Sequence, residues 1–181
     1  MKPEIEHLVA ACQRKEADAL KQLYDEFSPM MLGVCMRYTR SRDEAQDLLH
    51  DGFLKVYKNI GKLKQPMALE DWIYRIMVNV CVNYVCRRRE VVYCGITGMD
   101  GRQNEEQFSA APFDTDPFET AEVMKAIRAL PDPYRAVFNM KEVDGFDYSE
   151  IAERLSMNES TARSVVSRAR KMLRDALEPI L

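Results

Sequence analysis

Two histidines and five cysteines are few metal-ligating side chains for 181 residues, and their spacing leaves them further apart still. Cys12, Cys35, Cys81, Cys86 and Cys94 form no CxxC pair, and neither His7 nor His50 stands at ligand spacing from them. The pattern argues against a zinc site and against a disulfide framework. No metal and no cofactor is expected. Cys35 and Cys81 fall on apolar helical faces and read as small buried hydrophobes, while Cys94 falls in a loop. No Gly-rich phosphate loop and no nucleophile–base signature is present, so an enzyme is not expected. No apolar run approaches the roughly 20 residues of a membrane span, so no membrane insertion is expected. The opening Met1-Lys2-Pro3-Glu4-Ile5-Glu6 lacks the character of a signal peptide, and a cytoplasmic location is expected. Strand signals are missing too, apart from the brief Val91-Val92-Tyr93.

What remains is helical. Hydrophobic residues make up 46% and charged residues 30%, a balance suited to a folded, water-facing chain. Periodicity fails only between about Val91 and Phe118, where Gly95, Gly98, Gly101, Pro112 and Pro117 interrupt it. The expected organisation is all-α: two small helical domains, 1–90 and 118–181, joined by a flexible acidic linker over 91–117. A net charge of −3 argues at first against a nucleic-acid partner. The distribution reverses that reading. Five cations and no acid lie between Arg163 and Arg174, whereas seven acids and one cation lie between Gly95 and Glu122.

The cationic segment has the pattern of a helix-turn-helix. A first short helix carries Ile151, Ala152 and Leu155, with Ser149 as its expected N-cap. After a tight break, a second helix is expected to begin near Glu159 and Ser160. Its inner face is Ala162, Val165, Val166, Ala169, Met172 and Leu173. Its outer face carries Ser160, Thr161, Arg163, Ser164, Ser167, Arg168, Arg170 and Lys171. Hydroxyls and cations reach base edges and phosphates from a major-groove helix. A solvated basic face is the plain alternative. The small Ala at the crossing point, the short break and the mixed hydroxyl-basic face occur together, which favours DNA.

In the first domain, amphipathic helices are expected over Ile5–Ala11, from Glu16 through Phe27 and on to Tyr38, and from Ser41 to Gly61. Pro29 either kinks the second of these or opens a new helix. Lys62 to Ala68 is a basic loop containing Lys62 and Lys64. A last helix runs from about Leu69 to Arg89. Trp72, Ile73, Ile76, Val80 and Tyr84 form one of its faces. Arg75, Asn79, Asn83 and Arg87 recur at four-residue spacing, and Arg88 extends the basic end. Asn offers donor and acceptor together, Arg binds phosphate, and aromatic rings stack on unpaired bases. Such a helix suits a nucleic-acid strand, although a basic last turn also complements a helix dipole.

These motifs together resemble the extracytoplasmic-function, or group IV, sigma factors of bacterial RNA polymerase. The resemblance covers about 20–92 and 118–177. The run Ser41-Arg42-Asp43-Glu44-Ala45-Gln46-Asp47-Leu48-Leu49-His50-Asp51-Gly52-Phe53-Leu54-Lys55-Val56-Tyr57 resembles the family's core-binding helix, with His50 where Gln is usual. Trp72 through Asn79, Asn83, Arg87 and Arg88 resemble the promoter-melting helix, with Asn83 where Asp is common. Leu130-Pro131-Asp132-Pro133-Tyr134-Arg135-Ala136-Val137-Phe138 precedes the helix-turn-helix as in the family. Ala162 stands where Val is frequent, and Ser156 where many such turns carry Gly.

The resemblance implies a specificity subunit that binds core polymerase, places it at a promoter and opens the duplex. Core binding, at the clamp of the largest subunit, falls to Asp47, Leu48, His50, Asp51 and Phe53. Minus-ten binding falls to Lys62, Lys64, Trp72, Arg75, Asn79, Asn83, Arg87 and Arg88, and minus-thirty-five binding to the outer face of the last helix. An anti-sigma factor is an expected partner. The competing class is a free-standing helix-turn-helix regulator with a sensing or dimerisation domain in front. Such a regulator has no need of the two motifs at Asp47–Phe53 and Trp72–Arg88.

Overall fold

The computed structural model describes residues 2–87 and 117–178. Among these the regular elements are all helical, as expected for an all-α chain. The chain divides into two compact units, residues 1–83 and 84–181. The expected linker, Val91–Tyr93, Cys94 and Arg88 lie outside the described residues.

The N-terminal helices are α1 (Lys2–Gln13), α2 (Ala17–Tyr38), α3 (Arg42–Asn59) and α4 (Leu69–Arg87). Helix α1 is longer than the expected Ile5–Ala11. Helix α2 runs unbroken through Pro29. Its buried face, Ala19, Leu23, Phe27, Met31, Val34, Cys35 and Tyr38, continues without a phase jump across the proline. Burial along one stripe on both sides of Pro29 outweighs the lost backbone hydrogen bond. Ser41 caps α3 as expected, its hydroxyl accepting from the Glu44 N–H at 3.2 Å. Helix α3 stops at Asn59, and 3-10 turns at Ile60–Lys62 and Pro66–Ala68 lead into α4. The helix expected to reach Gly61 thus ends two residues earlier, and Gly61 lies inside the first turn.

Long-range hydrogen bonds tie this unit together. The Gln13 amide donates to the carbonyls of Ile60 and Leu63 at 3.3 and 3.1 Å. The Tyr57 hydroxyl donates to the Leu20 carbonyl at 3.2 Å. Burial pushes that phenol's pKa up, aided by Tyr24, Cys12 and Asp25 nearby, so it remains a donor. Cys35 and Cys81 are fully buried as expected, with their sulfurs 3.9 Å apart.

The C-terminal helices are α5 (Pro117–Ala129), α6 (Asp132–Phe138), α7 (Tyr148–Leu155) and α8 (Glu159–Leu177). Helices α5, α6 and α7 all pack on α8. Arg135 on α6 is only 4% exposed; it pairs with Asp132 at 2.6 Å and donates to the Arg128 carbonyl at 3.0 Å. A π-helical turn, Asn139–Val143, extends α6, and no periodicity signal in the sequence had pointed to it.

Candidate nucleic-acid interface

The exposed face of α3 sorts the expected core-binding residues. Asp47, His50 and Asp51 are exposed. Leu48 and Phe53 are not: they are 6% and 2% exposed. The Phe53 ring stands 4.7 Å from that of Tyr24 and 6.0 Å from that of Tyr57, centroid to centroid. Both residues lie on the stripe with Ala45, Leu49, Gly52 and Val56 that faces the core, so their assignment to a partner surface is corrected. The apolar residue that does face outward is Leu54, 56% exposed. Its spacing from Asp47 and from His50 and Asp51, seven, four and three positions, put it on their face in the sequence already.

Helix α4 presents its polar stripe to solvent as expected. Arg75, Asn79, Asn83 and Arg87 are exposed, as are Lys62 and Lys64 on the preceding loop. Trp72 is half-buried. Between α4 and the end of α3 lies an open groove of about 270 Å³, lined by Lys55, Asn59, Lys62, Trp72, Ile76 and Asn79. Three of these residues, Lys62, Trp72 and Asn79, were expected. Lys55 and Asn59 were missed, because only the packing of α3 on α4 brings their turn to the groove. The Asn59 amide donates to the Lys55 carbonyl at 2.9 Å, which holds it at the groove's rim. The groove joins an aromatic and an aliphatic wall to two lysines and two amides. That is the chemistry of a site for an unpaired base beside phosphate.

In the C-terminal unit, α7 and α8 form the expected helix-turn-helix. The N-cap of α7 is Asp147, not Ser149; Glu150 accepts the Asp147 N–H at 2.8 Å in capping-box fashion. Ser156 adopts a left-handed conformation, φ 44°, to close the turn where Gly was the commoner choice. Asn158 caps α8. Its side-chain oxygen accepts from the Thr161 N–H at 2.7 Å and from the hydroxyls of Ser160 and Thr161 at 2.8 and 2.6 Å. The Ser164 hydroxyl donates to the Ser160 carbonyl at 3.0 Å. With their protons engaged, these three hydroxyls have only lone pairs left to offer a further partner.

Ala162, Val165, Val166, Ala169 and Leu173 are buried on α8 as expected. Met172 is 39% exposed and leaves that list. It sits at the margin of the buried stripe, about 20° outside Val165 seven positions earlier. Ser160, Arg163, Ser164, Ser167 and Lys171 are exposed, and Thr161 and Arg168 are half-buried. Arg170 is bound within the domain: its guanidinium pairs with Glu142 of the π-helical turn at 2.8 Å. That internal pair competes with the phosphate contact expected of Arg170. Arg163 stands over the Tyr148 ring, 4.3 Å from the centroid, and pairs with Glu159 at 3.4 Å.

Among the described residues no group of three His, Cys, Asp or Glu could hold a metal ion, and no helix is long and apolar enough to cross a membrane.

These two surfaces coincide with two known domains. The family described as Sigma-70 region 2 matches residues 23–91, and that described as Sigma-70, region 4 matches residues 120–173. The RNA polymerase sigma-H factor of Pseudomonas aeruginosa is 29% identical over 97% of this chain and 95% of its own. The ECF RNA polymerase sigma-E factor of Haemophilus influenzae is 26% identical over 96% and 95%. The ECF RNA polymerase sigma factor SigW of Bacillus subtilis is 24% identical over 99% and 100%. The chain belongs to the sigma-70 family, as an RNA polymerase sigma factor of the extracytoplasmic-function type.

Proposed function

We propose that this sigma factor binds core polymerase through the exposed face of α3, captures the melted minus-ten strand along α4, and reads the minus-thirty-five element with α8. The observation that carries the reading is the groove between α3 and α4, with Arg75, Asn83 and Arg87 continuing its polar rim along α4. A duplex yields a base only if something offsets the few kcal/mol of lost pairing and stacking. A base stacked on an aromatic side chain returns roughly 1–3 kcal/mol. Trp72 supplies the ring, while Asn59 and Asn79 supply hydrogen bonds. Lys55, Lys62, Lys64 and the α4 arginines supply phosphate contacts. Binding energy alone then holds the strands apart, with no hydrolysis.

The α3 surface left after correction is Asp47, His50, Asp51 and Leu54, an acidic patch around one apolar side chain. It suits a basic partner surface with an apolar pocket, and we assign it to the polymerase clamp. On α8, Ser160, Thr161, Arg163, Ser164, Ser167, Arg168 and Lys171 remain to face DNA. Early residues of a recognition helix reach furthest into the groove, so Arg163 reads a base edge and Lys171 holds phosphate. The cytoplasm is the place of action, and an anti-sigma factor is the expected regulator. Run-off transcription with purified core polymerase tests the whole. Promoter-specific transcripts are expected only when this chain is added, and their absence on every template of a promoter pool overturns the proposal.

A further inference from the structure

We infer that Tyr148 is the positioning residue for Arg163 and thereby helps set minus-thirty-five specificity. The inference rests on reading α8 as the recognition helix and Arg163 as its base-reading side chain.

The Arg163 guanidinium lies 4.3 Å from the Tyr148 ring centroid. The Lys141 ammonium lies 4.8 Å from the same centroid and donates to the Phe146 carbonyl at 3.2 Å. Glu159 pairs with Arg163 at 3.4 Å. Both ends of the Tyr148–Arg163 contact are anchored in backbone. Tyr148 is the first residue of α7, whose start is fixed by Asp147 and Glu150. Arg163 lies one turn into α8, whose start is fixed by Asn158. The ring and the cation are thus held near two capped helix N-termini, which the length of α7 and the turn after it separate in sequence.

This geometry serves base reading for two reasons. A guanidinium resting on a ring face keeps its N–H donors at its rim, available for a bidentate contact with a base. A long side chain already held in place also loses less freedom when DNA binds. Glu159 is a poorer holder for that task. The pair is long, and its side chains are 56% and 51% exposed, so water and salt screen it. Near phosphates its own charge is repelled. The uncharged ring holds the cation without repelling DNA.

The test uses the full chain assembled with core polymerase. Each variant selects from a duplex pool randomised across the minus-thirty-five element, at several salt concentrations. Arg163→Ala is expected to relax preference at one position. Tyr148→Leu is expected to relax the same position about two- to fivefold, and Tyr148→Phe, which keeps the ring, to match wild type. In an Arg163→Ala background, Tyr148→Leu adds nothing. The salt slope stays unchanged in the Tyr148 variants, because phosphate contacts are untouched. If Arg163→Ala relaxes one position but Tyr148→Leu leaves it sharp, the positioning role is overturned and the base-reading role stands. If Tyr148→Leu lowers all sequences alike, the residue is merely structural and the inference again fails. If Arg163→Ala leaves every position unchanged, both roles fall together.

Discussion

Gly52 of α3 rests directly on Met77 of α4: a Cβ built at position 52 would overlap the Met77 sulfur and its terminal methyl. Lys55 and Asn59 follow Gly52 by one and two turns, and Trp72 and Ile76 precede Met77 on α4. The close approach of the two helices at this pair therefore sets the spacing of the groove walls further along.

The first prediction follows from that contact. Gly52→Ala forces the flexible end of the buried Met77 side chain to move, at a cost of up to about 1–3 kcal/mol against about 1 kcal/mol of better helix propensity. Net destabilisation is expected in the wild-type background. With Met77→Ala the overlap is gone, and Gly52→Ala should become neutral or stabilising. Urea denaturation of the four chains in the cycle measures it; an unchanged sign in the Met77→Ala background contradicts the contact.

A second prediction separates core from surface on α3. Phe53→Ala should lower stability by about 3–5 kcal/mol, because the ring fills space between Tyr24 and Tyr57. Asp51→Arg should leave the melting temperature nearly unchanged yet weaken co-purification with core polymerase. Loss of stability in Asp51→Arg, or retained binding at wild-type strength, would count against the proposed face.

Strand capture gives the third. Trp72→Ala and Asn79→Ala should each reduce open-complex formation on duplex promoters about 3- to 100-fold, with Trp72 the larger effect. Pre-melted templates, which need no base extraction, should show a smaller loss. Permanganate footprinting reads both. Equal losses on the two templates would place these residues in simple strand binding instead of opening.

The fourth concerns two adjacent cations on α8. Arg170 is paired with Glu142, and the side chains are 34% and 20% exposed. Discounted for that exposure, Arg170→Ala should cost about 1 kcal/mol of stability without altering the salt dependence of DNA binding. Lys171→Ala should leave stability alone and reduce the salt slope by about 1. Calorimetry and binding titrations from low to high salt distinguish them, and exchanged phenotypes would return Arg170 to the DNA surface.

Much of this protein was legible in one dimension because helices are local objects. The stripe Leu23, Phe27, Met31, Cys35 and Tyr38 has the helical period, and so do Val165, Val166, Ala169 and Leu173. Ser41 announced α3 through a hydrogen bond spanning three residues. The polar stripe of α4 and the hydroxyl-basic face of α8 needed only the same period. Tertiary structure decided whatever joins distant segments. Phe53 and Leu48 carry the right chemistry for a partner surface, but α2 and its neighbours bury them. Arg170 looks like its neighbour Lys171 until Glu142, far back in the chain, claims it. Lys55 and Asn59 look like ordinary surface residues until α4 packs beside them and makes a groove. The physical reason is common to all three. Periodicity tells which way a side chain points from its own helix axis, whereas burial, pairing and enclosure depend on what the fold places opposite it.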